Sequence, residues 1–548
     1  MQPFFLLTVA VAVSMLVILA AWRLAPHIGM VDMPDPRKVH VVPVPRVGGW
    51  GIVAGSLLPP LLLLELDPLL RSYAMGSVVL FLFGAWDDAR QISHWPKFVG
   101  QFIAVALVVF HGGLYVTRLP FLDGEVLAGL PGQLFTLVAM AGVINALNHS
   151  DGLDGLAGGE AVLSLIGIAF LGYLVDSGFA VGLALATIGG IVGFLRYNTH
   201  PAKVFMGDSG SQFLGFTLAV LVVYVIQIAN TAASPAMPAL LLGLPVADIL
   251  MVVYLRASNG QHLLKASRNH VHHRLLDLGF THFESVTCIY LVQSLLVVLA
   301  VALRYEADAI VLTSYFAVIV AVFAALRLAE RQGWRRRPLS GVGYSSPASQ
   351  SPQMPRLRNV LRHVALAIAA LLVPTFMLVG PLSVQSIPRD FGLVAIWLAV
   401  LLVVSLIGTR RQATGGALVR LIAFVAAACG IYFLTLGAPT ASGEVLEQAG
   451  IAMGVLAVAL GAYMVFLSAQ KFALTPTDYL VMLGVVSLTF FDRLDFALGS
   501  AVHFATYLIV MFYGCEVILG QMRLWRLVLA LPVLATLSVV AFRGLVAS

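Results

Sequence analysis

Three observations predict an all-α polytopic membrane protein. Of the 548 residues, 60% are hydrophobic and 11% charged, and the mean hydropathy of +0.96 lies outside the range of soluble domains. The apolar runs reach about 17 to 22 residues, enough to cross roughly 30 Å of hydrocarbon as helices. The alternating pattern of a membrane β-barrel is missing, so the spans are helical.

Hydropathy places about eleven spans in the first part of the chain. They fall near residues 4–22, 49–65, 72–86, 98–114, 132–147, 161–175, 180–196, 211–229, 236–255, 288–304 and 309–327. The first is expected to be a retained helix and not a cleaved signal, because no Lys or Arg precedes it and no small-residue cleavage site follows. Residues 331–362, with Arg335, Arg336, Arg337, Pro347, Pro352 and Pro355, read as a basic linker. About seven more spans follow, near 363–380, 391–408, 420–436, 450–468, 477–491, 501–518 and 526–545. The expected division is a 1–330 membrane catalytic domain, a 331–362 linker and a 363–548 membrane extension of unassigned role.

The formal charge is +6, but the excess cations sit in short loops beside spans, which points to anionic lipid headgroups and not to nucleic acid. Alternating the spans puts Arg37, Lys38, Arg46, Lys97, Lys203, Lys265, Arg268 and Arg274 on one face, which the positive-inside rule assigns to the cytoplasm. Cys288, Cys429 and Cys515 lie in apolar runs without metal-ligand spacing and read as buried helix residues.

Four polar clusters fall on that same face. Asp87 and Asp88 end the third span, where acidic groups oppose the helix dipole and a plain cap is disfavoured. Asn145, Asn148 and Asp151 recur every third residue, with Asp154 following among Gly152, Gly155, Gly158 and Gly159. That spacing puts them on one helix face, and the glycines allow close backbone approach. Phe205, Gly207, Asp208, Ser209 and Ser211 precede the eighth span, where the serines alone fit N-caps. His270, His272, His273 and Arg274 crowd five residues of the longest loop before the linker. No regularly spaced cysteine or carboxylate there supports zinc, so phosphate or sugar recognition is expected. Hard oxygen ligands, glycine-lined backbone and a basic, His-rich loop together describe a Mg²⁺-dependent diphosphate site, with Mn²⁺ as a substitute. At headgroup level its natural co-substrate is a lipid phosphate.

On these motifs the sequence resembles the polyprenyl-phosphate N-acetylhexosamine-1-phosphate transferases, the membrane superfamily that includes the phospho-MurNAc-pentapeptide transferase. The resemblance covers roughly residues 1–330. A further stretch, Asp32, Pro34, Arg37, Lys38, His40, Pro43, Pro45, Arg46, Gly48 and Gly49, looks like the N-terminal signature of the bacterial undecaprenyl-phosphate GlcNAc-1-phosphate branch. The resemblance implies that Asp208 and Asp88 bind Mg²⁺, with Asp87 and Asp88 at the lipid phosphate. It implies that Asp154 receives uracil, Phe205 stacks on it, and Asn145, Asn148 and Asp151 line the diphosphate region. His270, His272, His273, Arg274, Lys97, Lys38 and His40 are implied as substrate contacts. The implied reaction moves GlcNAc-1-phosphate, or a related HexNAc-1-phosphate, from a UDP-sugar to undecaprenyl phosphate, releasing UMP at the bacterial inner membrane and starting a cell-envelope glycan such as an O-antigen. Relatives imply a homodimer.

The His-Val-His-His-Arg wording of residues 270–274 departs from the three-His run of the pentapeptide enzyme, the runner-up reading. A transporter would place its polar residues near the midplane. That reading, or one of lipid handling, stays open for residues 363–548. Asp248 is expected inside the ninth span as structural support, and Glu516 has no assigned role.

Overall fold

The computed structural model describes residues 2–34, 42–122, 124, 126–258, 260, 269–335, 355–384, 386–408, 417–435, 443–464, 499–521 and 526–546. Most of residues 1–343 form one compact unit, and most of the remainder form a second. Ten helices among the described residues are long and apolar enough to cross a membrane and five more apolar helices are shorter, an all-α membrane architecture as expected, with fewer full-length spans than the roughly eighteen that hydropathy suggests.

In the first unit the helices are α1 (Gln2–Leu24), α2 (Gly48–Leu63), α3 (Pro68–Arg90), α4 (His94–Ala106), α5 (Leu130–Ser150), α6 (Leu156–Tyr173), α7 (Gly178–Asn198) and α8 (Asp208–Tyr224). After them come α9 (Met237–Leu241), α10 (Gly243–Ser258), α11 (Val271–Asp277), α12 (His282–Ala302) and α13 (Asp308–Arg331). A two-residue antiparallel pairing of Val31–Asp32 with Val44–Pro45 closes the first loop. Helix α8 is the centre of the unit. Its residues from Ser209 to Val222 are all buried, against α3, α5, α2 and α6. Tyr73 of α3 stacks on Phe216 and hydrogen-bonds Thr217 at 2.9 Å.

The expected ninth span is not one continuous helix. Pro245 lacks the N–H that would bond the Leu241 carbonyl one turn back, and the chain breaks into α9 and α10. Gln293 of α12 repairs the break: its amide nitrogen donates to Leu241 O at 3.2 Å and its oxygen accepts from Leu244 N at 3.1 Å. A buried polar side chain thus replaces the missing helical hydrogen bond.

The second unit contains helices Pro355–Ser383, Arg389–Gly408, Ala417–Thr435, Gly443–Ala462, Gly499–Gln521 and Leu531–Val546. Residues 355–362, read above as linker, are therefore helical; the expected span near 477–491 lies outside the described residues, as does linker segment 336–354. Glu516 pairs with Arg420 of a neighbouring helix, which gives the apolar interior a compensated charge pair.

Candidate active site

The site begins where the C-terminus of α3 meets the N-terminus of α8. Asp88 is buried and turns both oxygens onto the first turn of α8. Oδ1 accepts from the Asp208 amide at 2.8 Å, and Oδ2 accepts from the Ser209 amide at 3.1 Å and the Ser209 hydroxyl at 2.7 Å. An acidic group unfavourable at the end of its own helix is thereby stabilised at the positive end of another. The turn requires glycine before Asp208: Gly207 has φ +73°, and a Cβ there would lie 2.6 Å from both Asp88 oxygens. Asp88, expected beside Asp208 as a metal ligand, thus faces the helix start.

Asp87 and Asp208 share a cation. Lys97, at the start of α4, holds Asp87 Oδ2 at 2.7 Å and Asp208 Oδ2 at 2.8 Å. Burial by itself would lower the Lys97 ammonium, but Asp208 and Asp87 outweigh it and keep the group above the usual lysine range. The other Asp87 oxygen, Oδ1, is sealed from solvent with no hydrogen-bond partner among the described residues. An orphaned carboxylate oxygen beside a second carboxylate is a donor set that fits a hard divalent cation.

Amides surround the acids. Gln212, one turn after Asp208, donates to its Oδ2 at 3.2 Å, and accepts from Gln101 at 3.1 Å. Gln101 in turn accepts from Asn145 at 2.8 Å, while Asn148 donates to Ser211 at 2.7 Å. The period-three face expected of Asn145 and Asn148 is thus the face of α5 that meets α4 and α8. Gln101 and Gln212 escaped the motif reading, although each stands four residues after a charged site residue, Lys97 or Asp208, on the same helix face.

The first loop is stitched to the segment before α8 by backbone bonds. Phe205 N donates to Pro45 O at 2.8 Å, Gly48 N to Phe205 O at 2.9 Å and Gly49 N to Met206 O at 2.8 Å. Phe205 is half-buried there. Lys38 and His40 lie outside the described residues.

The glycine-rich turn and the histidine cluster also converge. His272 packs onto Gly152 so closely that a Cβ at 152 would lie 2.2 Å from its Nε2. Burial, aided by His273 and His270, pushes the His272 imidazole down to about 3. Asp151 follows α5 and is exposed, near enough to Asp208 and Asp154 for their carboxylates to repel its charge. His270 stands between His149 of α5 at 5.6 Å and His272 at 5.7 Å.

Asp154 accepts from His200 Nδ1 at 2.7 Å and from the Ala202 amide at 3.0 Å, while its carbonyl receives His282 Nε2 at 3.1 Å. Ligand atoms of Asp154, His200 and His282 lie within 4.8 Å of one another. The two rings are nevertheless stacked at 4.1 Å with 20° between planes, so their in-plane lone pairs lie in separate layers, and His282 Nε2 is already committed as a donor to the Asp154 carbonyl. Arg274 stands apart: its guanidinium is forked onto Glu330 at 2.7 and 2.9 Å. It lines a separate cavity of about 820 Å³ with Leu255, Phe323 and Trp334. Both ends of that fork are committed, so Arg274 does not join the other three site groups.

Fold and site together define a polytopic helical membrane protein with an acid, amide and imidazole centre at the ends of its helices. The Glycosyl transferase family 4 model matches residues 70–226. A Bacillus subtilis (strain 168) relative, "Probable undecaprenyl-phosphate N-acetylglucosaminyl 1-phosphate transferase", is 33% identical over 337 residues, 60% of this chain and 92% of the relative. The Yersinia pestis "Undecaprenyl-phosphate alpha-N-acetylglucosaminyl 1-phosphate transferase" is 32% identical over 53% of this chain and 80% of its own length. The Mycobacterium tuberculosis "Decaprenyl-phosphate N-acetylglucosaminephosphotransferase" is 31% identical over 49% and 74%. The chain belongs to glycosyl transferase family 4, with bacterial polyprenyl-phosphate transferases as its relatives.

Proposed function

We propose that this protein transfers GlcNAc-1-phosphate, or a closely related HexNAc-1-phosphate, from a UDP-sugar to undecaprenyl phosphate at the cytoplasmic face of a bacterial inner membrane. The observation that carries this reading is the Asp87–Lys97–Asp208 constellation, held by α3, α4 and α8 and walled by Asn145, Asn148 and Asp151. An oxygen of the lipid phosphate attacks the sugar-linked phosphorus, the phosphoanhydride bond breaks, and UMP leaves with the bonding electrons. A phosphate monoester with a second pKa near 6 is already mostly dianionic at neutral pH, so no strong general base is needed. The residues therefore act by position and charge.

Asp208 and Asp87 are the residues that would hold Mg²⁺, which when bound shields the diphosphate charge. Asp88 fixes the start of α8 and so places Asp208. Lys97 keeps the two acids from repelling each other. Asp154, with its His200 partner, lies at the nucleobase end, and the half-buried Phe205 ring offers a stacking face. His270, His272 and His273 line the diphosphate or sugar region. The product is a lipid-linked sugar that starts a cell-envelope glycan.

The test is to incubate purified protein with Mg²⁺, undecaprenyl phosphate and a panel of labelled UDP-sugars, following lipid-extractable label and UMP. Wild type gives product with at least one UDP-HexNAc, and Asp208→Ala loses at least about a thousandfold, or roughly 4 kcal/mol of barrier. Near-normal turnover by Asp208→Ala sinks the assignment.

A further inference from the structure

Asp248 was expected in a membrane-embedded segment, where an ionised carboxylate needs a partner. It lies in the α10 segment after the Pro245 break, 7% exposed. Its partner comes from the histidine cluster: Oδ2 meets His270 Nδ1 at 2.7 Å, and Oδ1 accepts from the Val271 amide at 2.9 Å. Both oxygens thus hold the two consecutive residues at which the histidine helix α11 starts.

A carboxylate at Nδ1 holds the ring proton there, because the contact is favourable only with Nδ1–H donating. Nε2 is then the ring atom left to face a ligand, and it has no protein hydrogen bond among the described residues. The groups seen against the ring are His149 from α5, His272 from α11 and Asp248 from α10.

We propose that Asp248 is a positioning residue for the transfer reaction: it fixes the tautomer and orientation of His270 so that Nε2 faces the sugar-diphosphate of the donor. This rests on the function proposed above. The same logic operates wherever a carboxylate orients an imidazole that acts through its other nitrogen. Asparagine cannot replace it, since the His270 ring N–H and the Val271 N–H reach different oxygens and one of them would meet the amide NH₂, donor against donor.

The experiment is a double-mutant cycle in the UDP-sugar transfer assay with the full-length protein, using Asp248→Asn, His270→Gln and the pair. If Asp248 acts through His270, Asp248→Asn lowers kcat about tenfold to a hundredfold, and adding it to His270→Gln changes kcat by less than about twofold. Retained kcat in Asp248→Asn, or losses that multiply in the double variant, overturns the proposal. A second readout uses wild type: in the ¹⁵N spectrum of histidine-labelled protein, the signals lost in His270→Gln report the His270 tautomer. A protonated Nδ1 is expected, and a bare Nδ1 overturns the proposal even if Asp248→Asn cannot be isolated folded. Should wild type form no lipid-linked product with any UDP-sugar, the proposed function fails, and the tautomer result still decides the His270–Asp248 geometry.

Discussion

Asp88→Asn separates the two jobs that adjacent acids can perform in this site. The Asp88 carboxylate receives three hydrogen bonds from the first turn of α8, two at Oδ2 and one at Oδ1. Asparagine can turn its single oxygen toward Ser209 and keep two of them, now to a neutral acceptor. Its NH₂ then confronts the Asp208 N–H, donor against donor. Losing one bond to a charged acceptor costs about 1.5–3 kcal/mol, and weakening the other two adds about 1 kcal/mol each, so roughly 3–5 kcal/mol is lost. Asp87→Asn behaves oppositely: Oδ1 has no partner to lose, an amide oxygen can still accept from Lys97, which keeps its ion pair with Asp208, and the repulsion between the two acids is removed. Differential scanning fluorimetry in detergent, run beside the transfer assay, reads both. Asp88→Asn should lower the apparent Tm by on the order of 5 °C and lose activity. Asp87→Asn should keep or raise the Tm while losing at least about a hundredfold in transfer. An Asp88→Asn protein with wild-type Tm and abolished transfer would refute the reasoning, since Asp88 would then act on the ligand and not on the helix.

Further predictions concern neighbouring groups. Lys97→Met leaves Asp87 and Asp208 facing each other without their shared cation; transfer should fall about a hundredfold, a loss of roughly 3 kcal/mol, and steady-state kinetics with a wild-type kcat/KM would contradict the clamp. His272 has its imidazole pushed down to about 3, below the ordinary value near 6.5, so between those limits the unfolded chain binds a proton that the folded one does not. Stability therefore falls as pH drops from about 7 toward 5, by up to about 1.4 kcal/mol per unit. A Tm series over that range should show a shallower slope for His272→Gln. His200→Ala removes the 2.7 Å partner of Asp154 and should raise KM for the UDP-sugar about tenfold with a smaller change in kcat, and an unchanged KM would remove His200 from the nucleotide end.

The helices were legible because a membrane span is written in a single variable, a long apolar run, and all eleven expected spans of the first unit reappear as helices or helix pairs. The break between α9 and α10 was less so: Pro245 marks it, but Gln293, which mends it, lies nearly fifty residues onward and carries no local signal. In the site, Asp87, Asn148 and Asp208 stood out because polar groups at the ends of apolar helices are costly without a task. Gln101 and Gln212 did not, since a lone amide on a helix is ordinary until its neighbours are known. Asp88 and Asp87 are adjacent in sequence with the same chemistry, and only the approach of α8 shows that one faces a helix terminus and the other a lysine. Arg274 was read with the histidines by proximity in sequence, whereas one turn of helix carries it to Glu330.

Transfer of a sugar with its phosphate differs from transfer of the sugar alone in the fate of one atom. UDP-GlcNAc carrying ³²P at the sugar-linked phosphate, incubated with the purified protein, Mg²⁺ and undecaprenyl phosphate, should deliver that label to the lipid phase in step with unlabelled UMP. Label appearing in released UDP, or passing a liposome membrane as intact UDP-GlcNAc, would contradict phosphosugar transfer at the Asp87–Lys97–Asp208 centre.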